Sequence, residues 1–139
     1  MKGEKTMWVP YETQRKHPHD FTVRYRFFTL QEGGRKFTPY QGYRSDFAFD
    51  EDLAADPITL RVIHPEFENE NGNIILDNTT SVPESGTARM WILFEGSRRE
   101  RDVKTIKVGM KGYFMEGPRK VAEAEVIEIN GLFTNPMLD

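Results

Sequence analysis

Eight basic residues lie close together in the C-terminal third of the chain, between Arg98 and Lys120. They are Arg98, Arg99, Arg101, Lys104, Lys107, Lys111, Arg119 and Lys120. Three acids share this stretch, so its local charge is +5, whereas the chain as a whole carries −3. Cations with neighbouring aromatic rings, here Tyr113 and Phe114, suit a nucleic-acid backbone or an acidic protein surface. Outward-facing residues of solvated strands give the same pattern, so both interpretations stay open.

The histidines and the acidic cluster are the other residue types that could bind an ion. Metal binding needs three or four convergent ligands, and nothing in the sequence brings His64 to His17 and His19. The acidic residues 50–52 lack the ligand spacing and the glycine of a calcium loop. We therefore expect a solvated arm and a solvated turn, with no metal site.

No motif indicates catalysis. The segment Glu32-Gly33-Gly34-Arg35 could form an anion-binding nest of glycine amides, but a nucleotide-hydrolysing P-loop is absent from the sequence. There is no Gly-x-Ser-x-Gly elbow, and without cysteine there is no thiol nucleophile, disulfide or cysteine zinc site. The sequence predicts a protein that is not an enzyme, with no catalytic residue and no cofactor.

Composition indicates one folded domain. The 139 residues include 10 Phe, 5 Tyr and 2 Trp, enough bulky apolar material for a core. The longest uncharged apolar run, Met90–Phe94, is far too short for a membrane helix, and the N-terminus has no apolar leader segment. We expect a cytoplasmic protein that does not bind membranes.

Alternating polar and apolar residues predict an all-β fold of six or seven strands in a closed or nearly closed barrel. Lys120–Ile129 is ambiguous, since its Ala and Glu favour a helix, but its short, evenly spaced neighbours favour a strand. Residues 95–102 are expected to form a charged loop. The predicted strands are Phe21–Leu30, Gly42–Phe49, Ile58–Ile63, Thr87–Phe94, Val103–Val108, Lys111–Met115 and Lys120–Ile129.

The chain divides by composition into an extended N-terminal arm, a barrel and a tail. The arm covers residues 1–20, in which Trp8, Val9 and Tyr11 form a possible docking patch. The barrel covers residues 21–131, and the tail covers 132–139.

The segment from Glu32 to Phe47 resembles the C-terminal barrel of translation elongation factor Tu. The matching motifs are Glu32-Gly33-Gly34-Arg35, Thr38-Pro39 and Gly42-Tyr43-Arg44-Ser45-Asp46-Phe47. Two further motifs follow in the family's order, each before a predicted strand. They are Val82-Pro83 and Glu116-Gly117-Pro118-Arg119.

This resemblance implies a six-stranded antiparallel Greek-key barrel. In the family this barrel contacts the T-stem of aminoacyl-tRNA and packs on the GTPase domain. By position, Arg35, Glu116 and Gly117 match family residues that lie near the tRNA backbone.

Three functions follow as hypotheses. The first is a non-catalytic module that binds tRNA or a translation-associated partner. The second is a protein–protein adaptor or mimic of the factor, favoured by the net negative charge, by Asp46 and by the arm. The third is a small-ligand or enzymatic barrel, for which no motif speaks. The residues expected to bind RNA or a partner are Arg35, Arg44, Asp46, Lys111, Glu116, Gly117, Arg119 and Lys120.

Overall fold

A computed structural model describes residues 7–137, apart from the side chain of Arg99. Residues 1–6 of the predicted arm and 138–139 of the predicted tail lie outside this range. The six strands are β1 (Phe21–Phe27), β2 (Asp46–Phe49), β3 (Ile63–Phe67), β4 (Ser85–Ile92), β5 (Lys111–Glu116) and β6 (Arg119–Ile129). The helices are α1 (Tyr11–Arg15), α2 (Asp50–Ala54), α3 (Glu95–Ser97), a π-helical turn (Arg98–Asp102) and α4 (Val103–Thr105).

The six strands form one antiparallel sheet in the order β2-β5-β6-β1-β4-β3. The sheet curls into a half-barrel. Its two edges meet at one point, where Phe47 of β2 exchanges two backbone hydrogen bonds of 2.9 and 2.7 Å with Arg61. The mostly β, six-stranded antiparallel prediction is confirmed, whereas the Greek-key topology remains a prediction.

Alternation along each strand separates the core from the outer face. In β1, Phe21, Val23, Tyr25 and Phe27 are buried inside the curl, while Arg24 and Arg26 point outward. The aromatic rings of several strands meet there edge to face, an arrangement that favours their quadrupoles. The sequence therefore places the core by period two, as expected.

Two strand predictions are wrong, at residues 58–62 and 103–108. Within residues 58–62, Arg61 forms an isolated bridge with Phe47 and the Val62 carbonyl accepts the Leu93 N–H at 3.1 Å, but β3 begins only at Ile63. Residues 95–105, expected as a charged loop and the start of a strand, form consecutive helical turns. The physical reason is that Val103 and Ile106 both pack on the core. They are three residues apart, a spacing that places two side chains on the same face of a helix.

The N-terminal arm is extended only as far as Pro10, where the prediction of an extended segment ends. Trp8 donates its backbone N–H to Leu76 at 2.9 Å, and α1 then forms a single turn. Tyr11 of α1 packs edge to face on Trp91 of β4, with ring centroids 5.6 Å apart. The arm thus covers part of the outer face of the sheet.

Within residues 7–137, no helix has the length and apolar character required to cross a membrane.

Candidate functional site

One end of the half-barrel carries exposed apolar side chains in the loop after β1. Leu30, Phe37 and Tyr40 are 63, 68 and 55% exposed. Arg35 and Lys36 lie in the same loop, and Arg119, the first residue of β6, lies beside them. We call these six residues the aromatic–basic surface. Large apolar side chains that stay in water beside cations are typical of an interaction site.

Three adjoining grooves shape this surface, and all three are lined by Arg35 and Phe37. The largest has a volume of about 690 Å³ and runs past Tyr40 to Tyr43. The lining of the smallest groove includes Leu30 and Arg119. Arg35 and Phe37 are therefore at the centre of the surface.

A tight glycine turn positions the loop. Gly33 has a φ of 94°, and a Cβ on Gly34 would collide with the backbone of Phe28. The Gly33 and Gly34 N–H groups donate to the carbonyls of Leu30 and Thr29 at 3.0 and 2.8 Å. These amides are thus used inside the turn, so they do not form the anion nest that the sequence suggested.

Glu116 ties the loop to the β5–β6 turn. Its carboxylate accepts hydrogen bonds from Arg35, from Arg119 at 2.9 Å and from the Tyr43 hydroxyl at 2.5 Å. Burial alone would raise the pKa of Glu116, but these three donors outweigh it and hold the pKa below 4.5. Gly117, with a φ of 59°, forms the turn that brings Arg119 back beside Glu116.

The structure thus brings together four of the eight residues predicted to bind RNA or a partner: Arg35, Glu116, Gly117 and Arg119. Lys120 follows in β6, where its ammonium lies 4.0 Å from the centre of the Tyr113 ring. Lys111 lies at the opposite end of β5, beside Glu125 of β6.

Arg44 and Asp46 are the remaining two of the eight predicted residues. Their neighbours differ from those of Glu116. Arg44 faces the Tyr11 hydroxyl of the arm, and its positive charge counteracts the rise in the pKa of Tyr11 that burial causes. Asp46 begins β2 close to His64, whose pKa its negative charge raises against the effect of burial.

The basic stretch 98–120 does not form one surface. The Arg98 side chain is only 1% exposed and is ion-paired with Asp20 at 2.7 Å. Arg101 is paired with Asp102 at 3.1 Å. The stretch is therefore divided between buried structural pairs and exposed residues such as Arg119.

Sequence reasoning missed the apolar half of the surface, namely Leu30, Phe37 and Tyr40. These residues lie in a segment with glycines and a proline, which predicts a solvated loop but not which side chains stay exposed. Phe37 and Tyr40 next to Lys36 and Arg35 were a usable signal, because an aromatic residue in a glycine-rich turn has no strand neighbours to pack on.

The ion pairs and the hydrogen bond of Glu116 lead to a prediction about stability. We expect Glu116→Gln to lower the free energy of unfolding by about 1 kcal/mol at pH 7, the upper end for a partly exposed ion pair. Because the folded-state pKa is depressed, the contribution is present above pH 4.5 and is lost as the pH falls below it. Urea unfolding of both proteins from pH 7 to pH 3 measures this. If the difference in stability between the two proteins grows on acidification, this prediction is wrong.

Among residues 7–137, no group of three or more His, Asp or Glu side chains is arranged to hold a metal ion. His17 and His19 both lie near the Trp91 ring, with centroids 5.6 and 6.2 Å away.

The chain matches no family model and no curated protein.

Proposed function

We propose that the chain is a non-catalytic binding module whose aromatic–basic surface binds an acidic, partly apolar segment of a protein partner. The observation that carries this proposal is the junction of three grooves at Arg35 and Phe37. Exposed aromatic rings beside arginine are the residue types that dominate protein interfaces.

Charge complementarity selects the partner. The three grooves are lined by one acidic residue, Glu84, and by four basic residues: Arg26, Arg35, Lys36 and Arg119. Arg35 and Arg119 also share the carboxylate of Glu116. The Lys36 ammonium lies 5.6 Å from the centre of the Phe37 ring, so a positive charge and an apolar face are available at the same place. A segment with acidic residues next to an aromatic or aliphatic side chain satisfies both features.

RNA is the second candidate, favoured by the exposed rings of Phe37 and Tyr40, on which bases could stack. It is the weaker candidate because Leu30, which shares the surface with these rings, offers no face on which a base can stack.

The resemblance of residues 32–47 to elongation factor Tu supports a partner from the translation machinery. A protein that carries this surface would act as an adaptor or mimic of the factor. A tRNA partner, the other function that the resemblance implies, belongs to the RNA candidate.

Loss of the Phe37 ring tests the proposal. We expect Phe37→Ala to weaken partner capture at least tenfold, since truncation of a central aromatic anchor costs about 2 kcal/mol or more. Affinity capture from ribonuclease-treated lysate, followed by titration of the captured partner, measures this. Lys36→Glu should weaken the same partner, because it opposes the partner's acidic residues.

Phe133→Ala is the matched control. Phe133 is 58% exposed but lies in the turn after β6, not on the aromatic–basic surface. Equal loss with both alanine variants would contradict the proposal. Capture that disappears on ribonuclease treatment would favour RNA instead, and its affinity should then fall steeply with salt.

A further inference from the structure

The largest groove of the aromatic–basic surface, about 690 Å³ in volume, is walled by aromatic rings. It is lined by Phe37, Tyr40 and Tyr43, each three residues after the last, together with Pro39. No Leu, Ile, Val or Met side chain lies among the described residues that line it. Of the three grooves, Leu30 lines only the other two. The large groove therefore offers flat ring faces to a ligand rather than aliphatic side chains.

Backbone hydrogen bonds hold this groove in shape. The Val82 N–H donates to the Pro39 carbonyl at 2.8 Å, and Tyr40 forms an isolated bridge with Ser81. The Tyr43 N–H donates to the Tyr40 carbonyl at 3.2 Å, which closes a turn between two of the rings. A ligand thus meets a preformed groove, and the entropic cost of ordering the loop on binding is small.

Both edges of the sheet are blocked within the part of the chain that the structure describes. Arg61 takes the backbone N–H and carbonyl of Phe47 in β2. In β3, Pro65 has no N–H to donate, and the Gln41 side chain binds the N–H and carbonyl of Phe67. A partner segment therefore cannot join the sheet as an added strand at these positions, and it must bind through side-chain contacts elsewhere.

Positive charge adjoins the groove. Arg35 is the one charged residue among the described residues that line it, and its side chain stays 32% exposed although it is ion-paired with Glu116. Lys36 lines the two adjoining grooves and forms no ion pair with a described residue. An acidic residue beside the part of a ligand that fills the groove would complement this charge.

We infer that the large groove binds a proline-rich segment in the polyproline II conformation, with an acidic residue next to the proline run. This inference rests on the proposed function and specifies the conformation and composition of the partner segment. Such a segment is extended before it binds, has no internal hydrogen bonds and docks its proline rings in aromatic-lined grooves. Tyr40 is 55% exposed, and its hydroxyl, which no described residue engages, can donate to one of the free carbonyls of the segment.

Two peptides of equal length and charge test this inference. One carries about nine prolines, three turns of the polyproline helix, with an aspartate at each end so that either direction of binding is possible. In the other, alanine and leucine replace the prolines. We expect titration calorimetry to show saturable binding of the proline peptide and at least tenfold weaker binding of the alanine–leucine peptide. An added Cβ on Gly42 of the groove would lie 2.9 Å from the Trp8 ring, so tryptophan fluorescence gives a second signal.

The outcomes separate this inference from the proposed function. If the alanine–leucine peptide binds as tightly as the proline peptide, the surface binds acidic apolar segments but the inference is wrong. If neither peptide binds while partner capture still depends on Phe37, the inference is again wrong and the proposed function stands. Capture that does not depend on Phe37 contradicts the proposed function itself.

Three variants locate the binding in this groove. Of the three grooves, Tyr40 lines only the large one, whereas Leu30 lines only the other two. We expect Tyr40→Ala to weaken the proline peptide at least tenfold, as for a central aromatic anchor, and Leu30→Ala to change its affinity by less than about twofold. Tyr40→Phe keeps the ring and should show a smaller loss than Tyr40→Ala. Both positions are more than half exposed, so the variants should fold, and thermal unfolding checks this. Equal weakening by Tyr40→Ala and Leu30→Ala would overturn the inference.

Discussion

Replacing Arg98 with methionine should lower the free energy of unfolding by about 3–5 kcal/mol, because it leaves the Asp20 carboxylate buried without its cation. Both side chains are almost fully buried. The Arg98 guanidinium donates to Asp20 Oδ1 at 2.7 Å and to the carbonyls of Ile92 and Pro136. One side chain therefore joins β4 to the segments before β1 and after β6. Urea unfolding monitored by circular dichroism measures the loss.

A double variant shows how much of this loss comes from the orphaned charge. Asp20 also accepts hydrogen bonds from the Ile92 N–H at 2.8 Å and from Asn135 at 2.9 Å, and asparagine can keep one of them. We expect Asp20→Asn with Arg98→Met to be more stable than Arg98→Met alone. Arg24→Met, at an exposed position of β1, should change stability by less than about 0.5 kcal/mol. If Arg98→Met costs no more than Arg24→Met, the pair does not hold these segments together.

The sheet was predictable because its signal is local. In β1 and β4 the side chains alternate between core and outer face over seven or eight residues. The last strand, β6, lies inside the sheet and follows its neighbours rather than the helix propensity of its Ala and Glu residues, since pairing with β1 and β5 satisfies its backbone.

The helical turns of residues 95–105 were not predictable from the same local signal. Their charged residues suggest a solvated loop. Arg98 and Asp102 are nevertheless buried, because each forms an ion pair with a residue that is far away in sequence. Asp102 is paired with Arg61, which also binds Asp52 at 2.8 Å. No pattern in a single sequence shows that an arginine 41 residues away will pair with a buried aspartate.

The candidate surface was half predictable for a related reason. Arg35 and Glu116 were chosen through a resemblance of short motifs, and the structure brings them into contact. Phe37 and Leu30 were missed, because exposure depends on what the rest of the fold leaves uncovered. Gln41 shows the same limit: its side chain bonds to the Phe67 N–H and carbonyl and so occupies part of the edge of β3.

Glu66→Gln should release the N-terminal arm from the sheet. The buried Glu66 carboxylate accepts three hydrogen bonds: from Trp8 Nε1 at 2.7 Å, from the Tyr11 N–H at 2.9 Å and from Trp91 Nε1 at 2.9 Å. An amide has one acceptor oxygen, so its NH₂ group must face at least one of these donors. We expect a loss of about 2–4 kcal/mol, since hydrogen bonds to a buried charge and an unsatisfied donor are each worth about 1–3 kcal/mol.

Fluorescence separates release of the arm from general destabilisation. Because Trp8 and Trp91 both donate to Glu66, their emission in the native state should shift to longer wavelength in Glu66→Gln before any global unfolding. Glu68→Gln is the matched control, two residues further along the chain, where the carboxylate binds Thr87 and Arg89 instead. It should lower stability without moving the emission maximum. An unchanged spectrum in Glu66→Gln would show that apolar packing of Tyr11 on Trp91, rather than the carboxylate, holds the arm in place.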